Sequence, residues 1–278
     1  MISTLILWVC VLSVILTDWV PGYYLLFNLV AVKGLLEYYR LHESGGARMV
    51  WGCGLLATVL LISGSLWLHR NAEEILAWMW MSGVFTFFSL WVLCASLWRT
   101  GDRSSLETVG GSLSGFIYVP WLLNFMVLIA FGIPKMDGSR EGGYYLIYLL
   151  IVTKFCDMGA LLSGMAFGKH KFVPKISPKK TWEGLAGGVV LSILSSFVLV
   201  NWIMPGQLSL ISWSASLYLG LVLALFSVIG DLAESLLKRG AHLKDSGHVV
   251  PGIGGMLDLI DSLLFTGPAL YFYLRFVA

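Results

Sequence analysis

Residues 209–229 read SLISWSASLYLGLVLALFSVI without one charged side chain, and the chain then turns abruptly polar at Gly230-Asp231. A helix that crosses a bilayer needs about 20 mostly apolar residues, and this run supplies them. Comparable runs occupy 1–17, 20–39, 50–68, 75–97, 112–132, 143–166, 184–203 and 259–277. Of 278 residues, 58% are hydrophobic and 12% charged, and the mean hydropathy is +0.82. Those values lie outside the range of a water-soluble domain. The expectation is an all-α polytopic membrane protein of about nine transmembrane helices. It would form one integral domain, with an N-terminal multi-span region over 1–140 and a C-terminal region over 141–278 that carries the polar residues. Met1-Ile2-Ser3-Thr4 offers no basic n-region and no small-residue cleavage site precedes Asp18, so the first span is expected to be a retained helix. Cys10, Cys53, Cys94 and Cys156 stand singly in apolar spans, with no spacing that suits zinc.

Orientation follows from the cations. The loops near 40–49, 98–111, 168–183 and 230–258 carry Arg40, Arg48, Arg99, Arg103, Lys169, Lys171, Lys175, Lys179, Lys180, Lys238, Arg239 and Lys244. The opposite loops and the chain's end hold Arg70, Lys135, Arg140 and Arg275. The positive-inside rule then predicts a cytoplasmic N-terminus and an outside C-terminus. Trp19, Trp51, Trp67, Trp98, Trp182, Trp202 and Trp213 fall near span ends, where interfacial anchors are expected.

Charged residues crowd most densely between Ser235 and Ser262. Asp258 and Asp261, three apart, share a face if the last helix begins near them. Such a pair suits a magnesium ion bound also by phosphate oxygens and water; the alternative is that Asp258 caps the helix and Asp261 complements its dipole. Asp231, with Glu234 on the same helical face, would add to the repulsion on that side of the membrane, which a cation relieves. Glu234 equally suits an i,i+4 pair with Lys238. Gly252, Gly254 and Gly255 would let backbone amides approach an anion at the following helix N-terminus.

A second constellation runs from Lys169 through Ser177-Pro178-Lys179-Lys180-Thr181 to Gly184. Pro174 and Pro178 exclude a regular helix and leave a stiff loop holding lysines suited to phosphate, or a basic loop drawn to anionic lipid. Thr181-Trp182-Glu183-Gly184 reads as a helix start. Within the sixth span, Lys154 and Asp157 form an internal ion pair or part of a site. Lys33 and Glu37 read as a snorkelling lysine and its partner. P-loop, serine-hydrolase and zinc-protease motifs are absent from the sequence.

The stretch Ser235–Asp261 resembles the C-terminal signature of the phosphatidate cytidylyltransferases, also called CDP-diacylglycerol synthases: S-x-x-K-R, four residues, K-D-x-G, then P-G-H-G-G and D-R-x-D. Ile176–Gly184 is similar to that family's second loop, and Asp157 with Phe167-Gly168-Lys169 to the element before it. The resemblance spans roughly 150–265. Ile253 replaces the usual His, Leu259 the usual Arg, and Met165 a frequent Arg.

This resemblance implies transfer of a cytidylyl group from CTP to phosphatidic acid at a bacterial cytoplasmic membrane. One or two Mg2+ ions would sit on Asp231, Asp258 and Asp261. Lys179 would join these three as a catalytic residue. Ser177, Lys180, Thr181, Lys238, Arg239, Lys244, Asp245, Gly254, Gly255 and Asp157 would bind substrates or order the loop. The lipid bilayer and a homodimer are implied, and no nucleic acid. The alternatives are a CTP-dependent polyprenol or phytol kinase, or a transporter using Lys154 and Asp157.

Overall fold

The computed structural model describes residues 2–43, 49–71, 74–97, 103–133, 141–241 and 254–277. Among the described residues there are nine helices and one small hairpin, with free cysteines throughout. The helices are α1 (Ile2–Thr17), α2 (Val20–Glu43), α3 (Trp51–Asn71) and α4 (Glu74–Leu97). Next comes α5, which runs from Arg103–Phe116 through a π-helical turn at Ile117–Trp121 into Leu122–Gly132. α6 (Glu141–Phe167) precedes the hairpin strands β1 (Lys171–Val173) and β2 (Ser177–Thr181). α7 (Trp182–Val198, with a π-helical turn at Leu199–Ile203), α8 (Trp213–Gly240) and α9 (Met256–Val277) complete the chain. The π turn in α5 contains Pro120, whose missing N–H would otherwise leave a gap in the α-helical ladder.

The nine helices follow the nine expected spans, and the protein is an all-α polytopic membrane protein. Seven of them, α3 to α9, are long and apolar enough to cross a bilayer. α1 is apolar but has 16 residues, and α2 is interrupted in its second half by Lys33, Glu37, Arg40 and Glu43. Large apolar side chains such as Phe87, Leu97, Trp202 and Phe276 are exposed, as a surface facing hydrocarbon requires.

The chain divides into two compact units, Met1–Gly132 with Gly240–Leu259, and Ile133–Arg239 with Ile260–Ala278. In the first, α2 packs against α3 and α5. Tyr38 and Tyr39 are buried; the Tyr38 hydroxyl lies 2.8 Å from Ser114 Oγ, and that of Tyr39 donates to the Ser112 carbonyl. Glu37, 2% exposed, accepts the backbone N–H groups of Met256 and Leu257, each at 2.8 Å. Its carboxylate is therefore committed to the first turn of α9, and the expected partnership with Lys33 gives way to a contact 219 residues along the chain.

In the second unit α6 and α7 make the most extensive helix pairing, through small residues that let the backbones approach. A Cβ at Gly159 would lie 2.6 Å from the Gly187 carbonyl oxygen, and one at Gly188 would lie 3.0 Å from that of Cys156. Hydroxyls satisfy further backbone groups inside this unit: Ser192 donates to the Gly220 carbonyl at 2.8 Å, and Ser196 to that of Ser216. Gly159→Leu is expected to force these helices apart and cost about 3 kcal/mol, in the range of overpacking a close contact. Thermal unfolding in detergent would read the loss as a lowered Tm, whereas Gly83→Leu, at a site with open space around it, should leave Tm near the wild-type value.

Candidate active site

The proline-containing segment is a hairpin. β1 pairs antiparallel with β2, Lys171 opposite Thr181 and Val173 opposite Ser177. Its base is tied by Glu183, which accepts the N–H groups of Lys169 and His170 and lies 2.6 Å from His170 Nδ1. Thr181 is the N-cap of α7, extended at φ −126° and ψ 157°, and its Oγ1 accepts the Gly184 N–H at 3.1 Å. The ring of Phe172 meets Trp182 edge-on at 4.5 Å. Lys179 and Lys180 are thus carried on a strand anchored at both ends.

The acids converge through another glycine. A Cβ at Gly230 would lie 2.5 Å from the Asp261 carbonyl oxygen, so α8 and α9 meet backbone to backbone there. That approach gathers Asp231, Glu234 and Asp261, each offering a carboxylate oxygen within 4.8 Å of the others. Glu234 and Asp261 are 2% and 6% exposed. At an effective dielectric near 20, like charges at that spacing repel by roughly 3 kcal/mol per pair. Lysines offset part of this: Lys180 Nζ is 2.7 Å from Asp231 Oδ2, and Lys238 Nζ is 2.9 Å from Glu234 Oε2. Three hard oxygen donors, two of them withdrawn from water, fit a divalent cation.

Beside the acids lies a cavity of about 530 Å³ lined by both charged and apolar side chains. Its lining includes the charged residues Lys179, Lys180, Asp157 and Asp231 and the apolar residues Leu161 and Met165. Asp157 is held by Lys154 at 3.0 Å and accepts the Ser227 hydroxyl at 3.1 Å. The expected ion pair is thus present, and Asp157 also lines the cavity. A ligand with a charged end and an oily end suits such a chamber.

The sequence model of the Cytidylyltransferase family matches residues 1–277. The chain belongs to that family. Over 259 residues it is 35% identical to the phosphatidate cytidylyltransferase of Staphylococcus haemolyticus, covering 87% of this chain and 96% of the relative. With the Bacillus subtilis phosphatidate cytidylyltransferase the identity is 43% over 170 residues, 61% of this chain and 60% of that protein. With YnbB of Escherichia coli, an uncharacterised protein, it is 34% over 201 residues, 69% and 66% respectively. In the last two comparisons the matched stretch spans less than two thirds of the relative. The family and the cluster together point to a metal-dependent enzyme embedded in a membrane.

The expected residues of this cytidylyltransferase-family protein are distributed unevenly. Asp231 and Asp261 meet, and Lys180 joins them. Asp258 is engaged differently, its Oδ2 accepting the Gly255 N–H at 2.8 Å, so the carboxylate turns back over its own helix start. Gly254 has φ +112°, and a Cβ there would lie 2.8 Å from that same oxygen, so the turn into α9 requires glycine. The amides of Gly255, Met256 and Leu257 are occupied by Asp258 and Glu37, and the protein's own carboxylates hold the place expected for an anionic ligand. Lys238 pairs with Glu234, and Arg239 Nε donates to the Ile176 carbonyl at 3.4 Å, linking the end of α8 to the hairpin turn. Ser177 opens β2. Lys244, Asp245 and Ile253 lie outside the described residues. Glu234 completes the acidic group; its three-residue spacing from Asp231 was the available signal, beside the one toward Lys238.

Proposed function

We propose that this protein transfers the cytidylyl group of CTP to phosphatidic acid, giving CDP-diacylglycerol and pyrophosphate. The observation that carries the reading is the apposition of Asp231, Glu234 and Asp261 with Lys180 beside a cavity lined by both charged and apolar side chains. In the reaction a phosphate oxygen of the lipid attacks the α-phosphorus of CTP. One P–O bond forms, the bond to the β-phosphate bridging oxygen breaks, and pyrophosphate departs. No covalent nucleophile is needed, so positioning and charge neutralisation are the protein's task.

Asp231, Glu234 and Asp261 would hold Mg2+, and Asp258 would contribute to a second ion. Bound there, Mg2+ neutralises charge on the reacting phosphates and the leaving pyrophosphate. Lys179 and Lys180 would bind phosphate oxygens, Ser177 and Thr181 would donate hydroxyl hydrogens to them, and Lys244 and Asp245 would order the loop before α9. The apolar residues lining the cavity would receive the lipid's glycerol and upper acyl segments. The cation distribution supports placing this site, with the N-terminus, on the cytoplasmic side of a bacterial inner membrane; the homodimer implied by the resemblance is read out by particle mass in detergent.

The test is product identity. Purified protein with Mg2+, phosphatidic acid and CTP labelled at the α-phosphate is expected to yield a labelled CDP-lipid and unlabelled pyrophosphate. Label recovered as CDP, together with transfer of a γ-label to a polyprenol or phytol, would establish the kinase instead. Solute uptake into proteoliposomes without CTP would establish a transporter.

A further inference from the structure

We infer that Glu37 of α2 is a positioning residue for the acidic site, holding the start of the helix that carries Asp258 and Asp261. The inference rests on the assignment of Asp261 to the site. Helix α9 begins with Gly255 as N-cap and Met256 and Leu257 as its first two residues. A glycine N-cap has no side chain to accept the first free amides of the helix, which in most helices a Ser, Thr, Asp or Asn does. Asp258, at the third helical position, performs the returning half of a capping box by accepting the Gly255 N–H at 2.8 Å. Two further acceptors come from a different helix. Glu37 takes the amides of Met256 and Leu257, one with each carboxylate oxygen, at 2.8 Å each.

The surroundings make this contact demanding. Glu37 is 2% exposed, Met256 3% and Leu257 0%. Water cannot substitute for the carboxylate, and withdrawing it would orphan two buried donors. The negative charge also lies where the helix dipole favours an anion. Being bidentate, the grip defines the rotation of the first turn as well as its position. Asp258 sits in that turn and Asp261 three residues further along the same helix, so the direction in which Asp261 projects depends on where the first turn is held. Glu37 touches neither metal nor substrate in this account and acts through α9 alone.

The experiment compares full-length wild type, Glu37→Gln and Glu37→Asp in detergent. Glutamine keeps the shape but presents an NH2 donor to one of the two amides; aspartate keeps the charge but falls short by one methylene. Three readouts are taken: amide hydrogen exchange of peptides covering 254–262 and 184–198, Mn2+ affinity by electron paramagnetic resonance, and kcat with KM for CTP. In Glu37→Gln the 254–262 peptide should exchange at least about tenfold faster while 184–198 is unchanged. Mn2+ affinity should fall about tenfold, the usual scale for a group that orients a ligand. kcat should fall more than KM rises, with Glu37→Asp intermediate in all three. Faster exchange at 254–262 with wild-type Mn2+ affinity would make Glu37 a cap without influence on the site and overturn the inference, as would unchanged exchange. If Glu37→Gln exchanges rapidly throughout, the same two outcomes are read on Glu37→Asp. Because Mn2+ binding and exchange require no turnover, they decide the question even if the wild type makes a different product.

Discussion

Asp261→Asn is expected to abolish CTP-dependent formation of CDP-lipid, by about a thousandfold or more, since it removes one of three charges that would hold the ion on which phosphate neutralisation depends. The substitution is nearly isosteric at a residue 6% exposed. It also deletes a member of a mutually repelling trio, so the metal-free variant should melt no lower than wild type. The two proteins should part on adding Mg2+. Wild type gains stability by mass action, about 2.7 kcal/mol at one hundred times the dissociation constant. The variant should gain little, and its Tm should stay level across a Mg2+ titration. Wild-type turnover, or an undiminished Mg2+-induced rise in Tm, would remove Asp261 from the site. Chelation of wild type should reproduce the loss, with recovery on readdition.

Lys180→Met should have the second largest effect and the opposite effect on the ion. Lys180 Nζ lies 2.7 Å from Asp231 Oδ2 and lines the cavity, so it neutralises a carboxylate proposed to hold the ion and stands where a phosphate would enter. Methionine keeps much of the length and removes the charge. kcat/KM for CTP should fall about a hundredfold, the scale of one lost charge-stabilising donor, which corresponds to about 2.7 kcal/mol of transition-state stabilisation. Mg2+ affinity should rise, because a competing cation has been withdrawn from Asp231. Lys180→Arg should restore turnover incompletely, since a planar fork does not reproduce a compact ammonium. Loss of turnover together with loss of Mg2+ binding would instead make Lys180 a structural support of the acids. Gly159→Leu offers the contrasting case of a helix contact whose cost appears in Tm before it appears in chemistry.

The nine helices were legible because the length of an apolar run is a one-dimensional property that bilayer thickness converts directly into a span. Legibility weakened where polar residues diluted the run: α2 carries Lys33, Glu37, Arg40 and Glu43, and it is a helix without being one of the seven strongly apolar spans. The cap at Thr181 was readable from its local pattern, whereas the hairpin around it was not, since Pro174 and Pro178 announce only what the backbone cannot do. Asp258 and Asp261 looked equivalent by spacing. In the folded chain one carboxylate turns to Gly255 and the other to Asp231 and Glu234, a division that spacing along a helix does not encode.

Composition and local periodicity were enough to establish that the chain lives in a membrane as helices, and that the candidate acids and lysines of the site lie in two loops and the helices flanking them. Short-range physics governs both, because each residue's partner is either the lipid or a neighbour within one turn. Which acid meets which lysine was settled by packing: glycines at 159, 187 and 230 have no side chain to keep backbones apart, and so bring distant carbonyls into contact. The grip of Glu37 on α9 belongs with these. Its partner lies 219 residues away, and two buried amides with no local acceptor are the reason for it.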